Sequence, residues 1–139
     1  MPKKIRLAID FDGTLVEHKY PDLGREVPGA FRWLKEFKDA GAILALWTMR
    51  SDASDYGRNA PALKQAVEFC FAHGIEFDFV NLDEDQKFWT HSPKLLASYY
   101  IDDRAIGCPL WTPAGFKSPV VDWDKVGPIV MEILRKAAA

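Results

Sequence analysis

The chain alternates short apolar runs with amphipathic stretches of helical period. Residues 5–11 set Ile5, Leu7, Ile9 and Phe11 in alternation, with Ala8 adding apolar character on the other side. That pattern predicts a largely buried strand ending at the turn Asp10 to Gly13. Residues 42–47 are apolar without a break, which fits a parallel strand covered on both faces. Weaker strand patterns lie at 77–80 and 98–101. Between the first two strands, residues 28–40 bring Phe31, Leu34 and Phe37 onto one helical face, with Pro28 suited to the first turn and Gly41 to the stop. A second helix is expected from a cap at Asn59 to a stop at Gly74, with Leu63, Ala66, Val67 and Cys70 on its apolar face. A loop punctuated by Pro109, Pro113 and Pro119 then leads to a short extension at Val120 and Val121 and a helix over 124–136, and residues 137–139 read as a frayed end. This alternation predicts a three-layer α/β sandwich around a mainly parallel sheet, because right-handed crossovers lay helices on the sheet faces. Ligands of such sheets bind beyond the carboxyl ends of the strands.

The 139 residues, 48% of them hydrophobic, suffice for one core, so a single domain over 1–139 is expected. Eighteen basic against twenty acidic side chains leave a net charge of -2, which offers no general positive field to nucleic acid or an anionic membrane. The apolar run near the N-terminus is interrupted by Arg6 and closed by Asp10, too short for a signal-peptide core or a membrane span, so a soluble cytoplasmic chain is expected. Cys70 and Cys108 lack metal-type spacing and read as free thiols.

Charge and hydroxyls gather where the strands end. Strand one closes in Asp10-Phe11-Asp12-Gly13-Thr14, with two carboxylates in period-two register and a glycine that lets the backbone turn beneath them. Strand two runs into Thr48 and Arg50, and the last strand of the sheet into Asp102 and Asp103, with Lys94 shortly before it at an expected helical turn. Like charges about 4 Å apart repel by roughly 4 kcal/mol at an effective dielectric of ~20, so four carboxylates require a cation among them. Oxygen ligands without suitably spaced Cys or His select Mg²⁺ rather than Zn²⁺.

Asp10-Phe11-Asp12-Gly13-Thr14-Leu15 resembles the first motif of the haloacid dehalogenase superfamily, Thr48 at the end of an apolar strand its second, and Lys94 and Asp102-Asp103 its third and fourth. The resemblance covers residues 5–108. It implies a Rossmann-like sheet and a Mg²⁺-dependent phosphatase in which Asp10 forms an aspartyl-phosphate and Asp12 is the general acid and base. It also implies that Thr48 and Lys94 bind the phosphoryl group, Lys94 holding Asp10 as well. Asp10, Asp102, Asp103 and the Asp12 backbone carbonyl would hold Mg²⁺, with either Asp102 or Asp103 as the direct carboxylate. Residues 105–107, where many members carry a further acid, are Ala-Ile-Gly here, and neither gap between motifs is long enough for an inserted cap domain. Residues 17–27 can form only a small flap carrying His18 and Tyr20.

The phosphorylated substrate expected is a small metabolite or nucleotide. A polynucleotide 3′-phosphatase is the alternative suggested by the Thr48 and Arg50 arrangement. A receiver-like phospho-accepting domain is a rival of another class, although receivers place their Thr and Lys after all their acids, whereas Thr48 and Lys94 here precede Asp102. Arg50 is suited equally to a second anionic group of the substrate or to a salt bridge with a nearby acid. His18 reads as a solvated loop residue more readily than as a contact to the leaving group, Phe88, Trp89 and His91 as pins holding their loop to the core more readily than as a stacking surface for a planar base, and Asp83, Glu84 and Asp85 as a solvated turn rather than a second metal site.

Overall fold

Four strands, β1 (Arg6–Ile9), β2 (Ile43–Leu46), β3 (Phe79–Val80) and β4 (Tyr99–Ile101), form a parallel sheet in the order β3-β2-β1-β4. A computed structural model describes residues 4–53, 57 and 60–139 of the chain. Among these residues the helices are α1 (Ala30–Asp39), α2 (Ala62–Ala72) and α3 (Trp123–Ala138). The expected strands and helices are present, each shifted or trimmed by a few residues at its ends. Asn59 lies outside the described residues, and α2 follows directly on Pro61. The trailing alanines do not fray as expected, since α3 continues through Ala138.

Parallel register fixes which side chains share a face. Leu7 is opposite Leu44, and Ile9 is opposite both Leu46 and Ile101; all are buried in the main core with the helices. The helices pack side by side, Phe31 of α1 against Phe69 of α2 and the His73 that caps it, and Phe37 of α1 against Trp123 of α3. The opposite face carries the small Ala8 and Ala45 together with Arg6, Phe79 and Tyr100. There the third layer is the β3–β4 connection with its 3₁₀ helix Glu84–Phe88. Arg6 bonds Asp83 at 3.0 Å and lies over the Phe79 ring, Gln86 is buried, and the Tyr100 hydroxyl donates to the Leu95 carbonyl at 2.6 Å.

Gln86, not the aromatic cluster, fastens this connection, for its amide donates to the Lys94 carbonyl at 2.6 Å and accepts the Leu96 N–H at 2.9 Å. Phe88 and Trp89 are exposed, contrary to the sequence expectation that they pin the loop. Asp83 is not simply solvated either, since it pairs with Arg6 and caps the 3₁₀ helix by accepting the Asp85 N–H.

Beyond the sheet, β5 (Leu110–Trp111) and β6 (Val120–Val121) form an antiparallel pair leading into α3. From β3 the chain crosses beyond β1 to reach β4, so the strand order reverses between β1 and β4. This topological switch point is where an open α/β sheet has a crevice for ligands.

Candidate active site

Asp10 follows β1 and Asp102 and Asp103 follow β4, on the two sides of the switch point. Each offers a carboxylate oxygen, and these oxygens lie within 4.8 Å of one another. The Thr14 hydroxyl donates to Asp10 Oδ2 at 3.0 Å and in turn accepts the Asp103 N–H at 3.2 Å, joining the two loops. Burial, the Asp102 charge, a hydrogen bond with Asp103 and the Asp103 charge together push the Asp10 carboxyl up to about 8, only partly offset by Thr14. Three crowded carboxylates of this kind are a donor set for a hard divalent cation, whose charge would relieve the repulsion.

Gly13 makes the crowding feasible. Its φ is 83°, and a Cβ there would overlap the His18 ring and the Asp103 carboxylate. His18 is not the solvated loop residue expected from the sequence, because its Nε2 stands 2.8 Å from Asp103 Oδ2. It arrives on the flap, which is tied like a small hairpin by Glu17 N–H to the Arg25 carbonyl and Val27 N–H to the Leu15 carbonyl, both 2.9 Å. The Arg25 guanidinium grips both Glu17 carboxylate oxygens and donates to the Gly115 carbonyl.

Of the two roles the sequence offers Arg50, the structure has the salt bridge and not substrate binding. Arg50 is fully buried and forms a bidentate pair with Asp12, Nε to Oδ2 at 2.9 Å and Nη2 to Oδ1 at 2.8 Å. Its remaining N–H groups donate to the carbonyls of Pro21, Asp22 and Ala62. The guanidinium therefore belongs to the protein interior, binding the first acid loop to the flap. The Asp12 side chain faces Arg50 rather than the three clustered acids.

Thr48 comes just after β2. Its N–H donates to Asn81 Oδ1 at 2.8 Å, and its hydroxyl oxygen accepts the Arg50 N–H at 3.2 Å, which leaves the Thr48 O–H available as a donor. Lys94 is in a bend rather than the expected helical turn, and its ammonium stands 5.2 Å from the centre of the Tyr100 ring. It is not bonded to Asp10 as expected. Tyr100 is paired with Ala8, two residues short of Asp10 on the same face, a separation of roughly 7 Å along a strand.

Several supports escaped the sequence reading. Val121 N–H donates to the Gly13 carbonyl at 3.1 Å, and the buried Trp123 indole N–H to the Thr14 carbonyl at 2.8 Å, so the segment without any motif braces the first acid loop. Thr14, His18 and Asn81 also join the site. Only Thr14 had a signal, its place in the Asp-Gly-Thr turn.

No protein-family model matches the chain, and no curated protein does. A solved structure titled as a conserved protein from Bacteroides thetaiotaomicron superposes with a TM-score of 0.73 at 33% sequence identity, over 94% of this chain and 93% of that one. The shared sheet and helices extend over nearly the full length of both chains, and at this identity the likeness goes beyond the fold: the chain belongs to the same family as that conserved Bacteroides protein.

Proposed function

We propose that the protein is a Mg²⁺-dependent phosphomonoester hydrolase of the haloacid dehalogenase type, acting through a phosphorylated Asp10 on a small metabolite or nucleotide. The observation that carries this reading is the convergence of Asp10, Asp102 and Asp103 at the switch point of the sheet. A nucleophilic carboxylate and an oxygen-rich cation site lie together there, and the Thr48 hydroxyl, just beyond the neighbouring strand β2, keeps its own O–H free to donate to a phosphoryl oxygen. When bound, Mg²⁺ would neutralise the carboxylates and polarise the phosphoryl group.

In this reading an Asp10 oxygen attacks phosphorus and the bond to the leaving oxygen breaks. Thr48 donates to a phosphoryl oxygen. Both Asp12 oxygens are occupied by Arg50, so Asp12 can protonate the leaving group, and later take a proton from the hydrolytic water, only after turning away from that pair. Lys94 swings from Tyr100 towards Asp10 to meet the charge gathering there. Arg50, committed to Asp12 and the flap, leaves no guanidinium at this position for a second phosphate, which favours a small substrate over a polynucleotide end. Buried Cys70, its thiol pushed up to about 12 by desolvation, and the free Cys108 suit a reducing cytoplasmic setting. Among the described residues no helix is long and apolar enough to cross a membrane.

The test is phosphate release over a panel of sugar phosphates, nucleotides and end-phosphorylated oligonucleotides, with and without Mg²⁺. Asp10→Asn should abolish turnover, and Mg²⁺-dependent release undiminished in that variant would refute the mechanism.

A further inference from the structure

Directly after β3 the chain makes a turn that an ordinary side chain resists. Asn81 has φ of 59°, and it is the only non-glycine residue in the left-handed region among the described residues. Asparagine tolerates that conformation better than most residues, but such backbone persists where the surroundings hold it. Its amide is held on both sides. Oδ1 accepts the Thr48 N–H at 2.8 Å and Nδ2 donates to the Arg50 carbonyl at 3.4 Å, so one side chain just beyond β3 spans the turn that follows β2. The Asn81 N–H bonds the Leu46 carbonyl at 2.8 Å, anchoring the brace to the end of the strand it serves. Within the spanned turn, the Arg50 N–H orients the Thr48 hydroxyl, and the Arg50 side chain holds Asp12.

We propose that Asn81 is a positioning residue for phosphoryl transfer, setting the Thr48 hydroxyl through the backbone of the turn that carries it. The proposal rests on the phosphatase reading above. Asn81 touches no reacting atom. It fixes the Thr48–Arg50 segment so that a hydrogen bond to the phosphoryl oxygen forms without reorganisation, and misplacement of a contact by about 1 Å can cost on the order of 100-fold in rate.

Asn81→Gly removes the amide while keeping a residue suited to the left-handed turn, so the chain should still melt cooperatively. On the best substrate of the panel, kcat should fall about 10- to 100-fold, with KM within roughly 3-fold. Asn81→Asp, which keeps the acceptor for Thr48, should recover kcat to within about 5-fold of the parent. In a Thr48→Ala background Asn81→Gly should add less than about 2-fold, because its route of action is already gone. An unchanged kcat in Asn81→Gly, or effects of the two substitutions that multiply, would overturn the assignment while leaving an active parent enzyme and its phosphatase reading intact. A parent that releases no phosphate from any substrate overturns both together.

Discussion

Asp10 and Arg50 show two opposite treatments of a charge that folding removes from water. Asp10 is buried and crowded by like charges, so its carboxyl sits well above the ordinary value of 3.8, at about 8. Between those two values the folded protein holds a proton that the unfolded chain has released, so stability falls as pH rises through the window. In a chelating buffer Tm should decline from about pH 5 to pH 8, Asp10→Asn should flatten that decline, and Mg²⁺, which binds the ionised acids, should reverse it. Melting curves that ignore both pH and the cation would count against the crowded-carboxylate site. Arg50, by contrast, has an acid and several carbonyls around it. Arg50→Met strands Asp12 without its partner and should cost about 3 kcal/mol in urea unfolding, with Asp12→Asn in the same chain recovering part of the loss. A loss no larger than that of an exposed arginine would show that the pair is not held as described.

The strands and helices were legible because their signals are local: the alternation of Ile5, Leu7 and Ile9, the helical spacing of Phe31, Leu34 and Phe37, and an Asp-Gly turn after a strand. The acid cluster followed from the rule that parallel sheets bind at their carboxyl ends, once Asp10 and Asp102 each closed a strand. What stayed hidden was long-range partnership. Whether Arg50 faces solvent or Asp12 depends on where the flap carbonyls of Pro21 and Asp22 come to rest, and a single arginine in sequence carries no sign of that. His18 and Asn81 were hidden likewise, because their partners Asp103 and Thr48 are 85 and 33 residues away. α3 makes the point testable. Trp123→Phe keeps the ring in the core but leaves the Thr14 carbonyl without its donor, at a cost of about 1–3 kcal/mol and a Tm drop of roughly 3–10 °C. A drop below a degree would mean that this bond does not hold the acid loop.

Residues 109–139 carry none of the chemistry, yet Val120, Val121, Trp123, Val126, Val130 and Leu134 all belong to the main hydrophobic cluster. The segment is thus part of the single core rather than an appendage. A chain ending at residue 108 should lack a cooperative thermal transition and expose enough apolar surface to bind a hydrophobic dye, whereas a sharp melt would show that 5–108 folds independently. Trp123 and Val121 also give the fold an order in time. A chain leaves the ribosome amino end first, so Asp10 emerges long before the indole that clasps its loop has been made. The acid loop is drawn into its final arrangement by a side chain 109 residues beyond Thr14, and a nascent chain cannot display the finished cluster until that helix too has been made.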